Sequence, residues 1–136
     1  MQRFDAVDVT LPEIWASHAR RDPQKPALVC DGQGLSWGDF NESMNRLANA
    51  LIGAEVRKGD RVAVLVSSSI AACVAMFGAV KSGAVMVPVS GMLTSDQILT
   101  LLSDCEASIV IASADLRSLV DAIADRLPML RTSGRI

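Results

Sequence analysis

The sequence predicts an α/β fold: a doubly wound, mainly parallel sheet flanked by helices. Three observations predict it. The stretch from Arg61 to Val89, RVAVLVSSSIAACVAMFGAVKSGAVMVPV, reads as strand, helix, strand. At this length that is a βαβ unit, and such units have parallel strands and a right-handed crossover. Strands and helices keep alternating downstream, which is the pattern of a doubly wound sheet. The strand runs also lack polar alternation, as strands buried on both faces do.

The chain opens with a helix near Thr10. Thr10 and Glu13 are spaced as a capping box, and Pro12 suits a first turn. Ile14, Trp15, His18 and Ala19 share one face of it. Asp22-Pro23 ends it, and Ala27 to Cys30 is a short strand. Asp31-Gly32-Gln33-Gly34 is a turn with two φ-permissive glycines, and Leu35 to Trp37 returns as an extended segment. Ser36 and Asp39 make the next capping box. Phe40, Met44, Leu47, Ala48 and Leu51 then fall at i, i+4, i+7, i+8 and i+11, the stripe of an amphipathic helix that closes near Gly53.

Val56 to Arg61 is a polar turn into the central strand, Val62 to Val66, whose residues are mostly β-branched. Ser67, Ser68 and Ser69 follow with side chains suited to helix capping. Ile70 to Lys81 is apolar almost all round, so it predicts a helix covered on most sides. Gly83 stands where a helix C-terminal glycine belongs, and Ala84 to Val89 is a second apolar strand with Pro88 near its end. Ser90 to Leu93 is a loop. Thr94 and Gln97 form a third capping box, with Ile98, Leu101, Leu102 and Cys105 on the buried face. Ala107 to Ala112 is another β-branched strand. Asp115 opens a last helix with Leu116, Leu119, Val120, Ile123 and Leu127 in register, stopped by Pro128. Residues 1–128 thus read as one α/β subdomain, and residues 129–136, MLRTSGRI, as a tail without a legible pattern.

At 136 residues the chain has room for one domain with a real core. A net charge of −2 without any basic block argues against nucleic acid and against a membrane surface as partner. MQRFDAVDV holds no apolar signal run. Cys30, Cys73 and Cys105 are widely spaced with no CxxC pair, so neither zinc nor a disulfide framework is indicated and a cytoplasmic location fits. Val62 to Val80 lacks charge over a membrane-spanning length, but the three serines inside it and the glycine and proline after it mark a folded core, so no transmembrane segment is expected. The chain is 50% apolar, only 21% charged and has a mean hydropathy of +0.32. That greasy balance predicts an uncovered sheet edge or helix face, closed by the remainder of the polypeptide or by self-association into a homo-oligomer.

Little chemistry is legible in single residues. Ser67 to Ser69 lie between a parallel strand and a helix N-terminus, where anions bind in many α/β folds. No glycine is present to let a phosphate close, so the favoured reading is one capping serine and two turn residues. His18 has no Cys or His partner at ligand spacing and reads as packed beside Trp15. Gly32 and Gly34 do not complete a dinucleotide fingerprint, and Asp104 with Glu106 reads as a solvated turn. Thr132-Ser133-Gly134 lacks the glycines and lysine of a phosphate loop. From residues alone the chain reads as half a scaffold with no reaction centre; the alternatives are a non-catalytic α/β binding or interaction module and a minimal enzyme using His18 or a cysteine.

Six short motifs, in order, carry a resemblance. They are Asp22-Pro23-Gln24-Lys25-Pro26-Ala27-Leu28, Leu35-Ser36-Trp37-Gly38-Asp39-Phe40, Asn45-Arg46-Leu47-Ala48, Lys58-Gly59-Asp60-Arg61-Val62, Val80-Lys81-Ser82-Gly83-Ala84 with Val87-Pro88, and Leu93-Thr94 with its helix. From about Thr10 to about Leu127 the chain resembles the N-terminal portion of the adenylate-forming ligases, the acyl-CoA synthetases in particular. Ser67-Ser68-Ser69 departs from the Pro-Asn-Ser frequent in that family. The resemblance implies ATP, Mg²⁺ and CoA as participants in the intact enzyme and none held by this chain. It also implies that the family's phosphate loop and catalytic lysine lie outside these residues. No catalytic, cofactor-binding or metal residue is therefore assigned to a position here, and the chain is expected to be an N-terminal fragment, inactive alone.

Overall fold

The computed structural model describes residues 9–135; residues 1–8, which hold most of the MQRFDAVDV stretch without an apolar signal run, and Ile136 lie outside the described residues. In chain order the elements are α1 (Leu11–Arg21), β1 (Pro26–Cys30), β2 (Gln33–Ser36), α2 (Trp37–Gly53), β3 (Arg61–Leu65), α3 (Ile70–Lys81), β4 (Val85–Pro88), α4 (Ser95–Asp104), β5 (Ile109–Ala112), α5 (Arg117–Asp121) and β6 (Thr132–Arg135). A four-stranded sheet runs in the order β4-β3-β5-β6, and β1 and β2 form a separate antiparallel pair. Every pairing in the larger sheet is parallel.

Side-chain alternation in β3 and β5 builds both cores. Val62 and Val64, with Ile109 and Ile111, point to one face, where Leu51 of α2 and Ala75 and Ala79 of α3 cover them. Ala63 and Leu65, with Val110 and Ala112, point to the other, against Ile98 and Leu102 of α4 and Val120 of α5. With helices on both faces the sheet is doubly wound, and the missing polar alternation is accounted for. Each such Val, Leu or Ile contributes about 1.5–3 kcal/mol by leaving water.

The all-apolar helix behaves as its composition requires: no residue of α3 is exposed. Its small residues Ala72, Ala75, Gly78 and Ala79 are buried, which lets α2 approach closely. A Cβ at Gly78 would lie 2.8 Å from Leu47 Cδ2 and 3.0 Å from Leu47 Cβ. Outside this pair, α1 buries no residue fully. Rings hold it: Trp15 packs on Phe77 at 5.0 Å, and His18 stacks on Trp37 at 4.7 Å.

Capping chemistry sets most helix starts. Ser36, Ser69 and Thr94 accept from the amides of Asp39, Ala72 and Gln97. At α1 the Glu13 carboxylate accepts from the Thr10 amide at 2.7 Å and its hydroxyl at 2.9 Å. Gly83 takes φ +90 after α3, the left-handed position glycine tolerates. After α2 and α4 that position falls to Glu55 and Glu106, at φ 63 and 52. Arginines then serve the freed carbonyls, Arg131 Nη1 donating to Glu55 O at 2.9 Å and Arg61 Nε to Cys105 O at 2.7 Å.

Three expectations are corrected. The first turn is the two-residue Asp31-Gly32, with φ 50 and 76, so Gln33 and Gly34 belong to β2; positive φ at both positions matches the twist of a tight hairpin. The helix expected from Asp115 to Leu127 is instead the short α5 followed by a 3-10 turn, Ala124–Arg126. Leu116 stands at its N-cap without a side-chain hydrogen bond. Val120, Ile123 and Leu127 are still buried, so their spacing reported burial rather than an unbroken helix. In the tail, the backbone of Thr132–Arg135 pairs with β5 from Ile109↔Thr132 onward. A parallel strand at that place satisfies β5 backbone groups that would otherwise form an open edge.

Gly78→Ala is expected to destabilise the fold by about 1 kcal/mol in urea unfolding, the cost of overpacking outweighing about 1 kcal/mol of gained helix propensity. Combined with Leu47→Ala, it should cost less than the sum of the two single changes. Glu55→Gly should stabilise by about 1 kcal/mol, because glycine removes the left-handed penalty while the Arg131 contact to the backbone carbonyl persists.

Candidate functional site

The chain leaves β3 through α3 to reach β4 on one side, then crosses through α4 to β5 on the other. The carboxyl ends of β3 and β5 therefore flank a topological switch point, the place where open α/β sheets offer a crevice. Three loops meet around it: Ser67 to Ser69 after β3, Ser90 to Leu93 after β4, and Ser113 to Asp115 after β5.

Ser69 Oγ accepts from the Ala72 amide at 3.1 Å and donates to Ser67 O at 3.0 Å. It is the capping serine. Ser67 Oγ reaches across the switch point and donates to Asp115 Oδ2 at 2.6 Å. The Ser113 amide donates to Leu65 O at 3.1 Å, which holds the two loops at the sheet. A Cβ on Gly91 would lie 2.8 Å from Leu116 Cδ1, so the third loop sits directly on the second. Met92 projects from that loop, 94% exposed.

The hydroxyls of Ser113 and Ser67 hold the Asp115 carboxyl below its ordinary value of 3.8. Ser113 Oγ is itself buried and makes no hydrogen bond of standard geometry, so Ser67 makes the directed bond to the carboxylate. An ionised carboxylate bonded to Ser67 makes this end of the crevice unfavourable for a phosphate. The Ser67–Asp115 bond ties the loop after β3 to the loop after β5.

The remaining sequence candidates are dispersed. His18, expected beside Trp15, stacks on Trp37. Glu106 pairs with Arg61 at 3.1 Å beyond the end of α4, and Asp104 is exposed there. Cys30, Cys73 and Cys105 are free thiols, each half-buried. Burial, then the neighbouring Asp31, pushes the Cys30 thiol up. Thr132, Ser133 and Gly134 fall in β6 by their backbone. Among the described residues no three His, Cys, Asp or Glu side chains converge, and the cluster at the switch point offers Mg²⁺ a single carboxylate. No local spacing in the sequence signals the Ser67–Asp115 contact, because 48 positions separate the two residues.

The family model described as "AMP-binding enzyme" matches residues 15–134. The chain belongs to the AMP-binding enzyme family. Fatty acid–[acyl-carrier-protein] ligase ScoC of Streptomyces coeruleorubidus is 38% identical over 95 residues, covering 70% of this chain and 18% of that protein. Long-chain-fatty-acid–CoA ligase FadD13 of Mycobacterium tuberculosis is 36% identical over 89 residues, covering 65% of this chain and 18% of its own length. The crystal structure of the anthranilate CoA ligase AuaEII in complex with anthranoyl-AMP superposes with a TM-score of 0.87 at 28% identity, over 95% of this chain and 26% of that one. The chain thus corresponds to the N-terminal portion of these enzymes and spans about a fifth of the length of ScoC and of FadD13.

Asp115→Asn should flatten the acid limb of the stability curve. A carboxyl whose folded pKa is depressed contributes stability above its unfolded value and loses it as pH falls through the folded value. The wild type should therefore weaken below pH 3.8 by an increment that the variant lacks, read as a smaller drop in denaturation midpoint. Ser67→Ala should move the Asp115 carboxyl titration upward, as followed by NMR.

Proposed function

We propose that this chain is the scaffold portion of an ATP-dependent acyl-CoA ligase. In that reaction a carboxylate attacks the α-phosphate of ATP, giving an acyl-adenylate and pyrophosphate. The thiol of CoA then attacks the acyl carbonyl and releases AMP. One observation carries the reading: a sheet and helices that superpose along nearly their whole length on a CoA ligase, in a chain 36% identical over 89 residues to a fatty-acid CoA ligase.

In this reading β3, β5 and the helices on either face hold the nucleotide-binding and catalytic parts in place, and no catalytic residue is assigned to the chain itself. Electrostatic clamping of the phosphates and of Mg²⁺ falls to the rest of the polypeptide, which is the chain's principal partner. ATP, Mg²⁺ and CoA belong to the whole enzyme. A fatty acid is the substrate class favoured by the names of the two sequence relatives. Three free thiols support a cytoplasmic setting.

The 136 residues alone are expected to give no ATP–pyrophosphate exchange with a panel of fatty acids. Substituted for the matching segment of FadD13, they should retain fatty-acid-dependent exchange and thioester formation within about tenfold of the parent, a change of about 1.4 kcal/mol in barrier. Exchange by the isolated chain would overturn the scaffold reading. A folded but inactive chimera would overturn the ligase reading in favour of a non-catalytic interaction module, for which the exposed Val29 and Met92 speak.

A further inference from the structure

We draw no further inference here: the strongest candidate, the cavity of about 240 Å³ between α4 and residues 127–130, is lined by apolar side chains apart from Ser103 and a Glu106 carboxylate already paired with Arg61, and nothing in the structure shows what covers it.

Discussion

Burial of β3 and β5 on both faces is the constraint from which the rest follows. These strands carry no polar side chain inward on either side, so each face must be covered by a helix pair or it stays in water. Covering both faces with a single chain requires crossovers on opposite sides. Those crossovers place the switch point between β3 and β5. The position of the serine and aspartate loops is thus a consequence of hydrophobic burial rather than of any local preference.

The same constraint explains the composition of α3. A helix wedged between the sheet and α2 touches protein on nearly every side, so it has no polar stripe, and small residues set how near its neighbours come. Gly78 is there for space: the Leu47 side chain fills the volume a Cβ would need. Around this centre the layers grow more polar and more exposed. The ring stack of Trp15, Phe77, Phe40, Trp37 and His18 attaches α1 with no fully buried residue of its own.

Charged groups do their work at the two ends of the sheet. At the amino end, Arg61 and Arg131 satisfy carbonyls that end α4 and α2 in left-handed glutamates. At the carboxyl end, Ser67 and Asp115 tie the loops across the switch point. Exposed ion pairs are worth little singly, since water competes for both partners. These contacts instead join segments far apart in sequence, which makes them devices for positioning loops. Such a platform suits an enzyme family whose members here extend several times beyond this chain.

By itself the sequence determined the α/β alternation, the central βαβ unit, the cap at each of the principal helices and the family resemblance. All of these are encoded by residues within a few positions of each other, where periodicity and capping geometry act directly. Tertiary structure alone decided the strand order, the shortening of the last helix, the recruitment of residues 132–135 into the sheet and the Ser67–Asp115 bond. Asp115 has the sequence character of a helix cap, yet a hydroxyl brought close by the neighbouring strand claims its carboxylate. That competition between a local partner and a distant one is settled only when the sheet has formed.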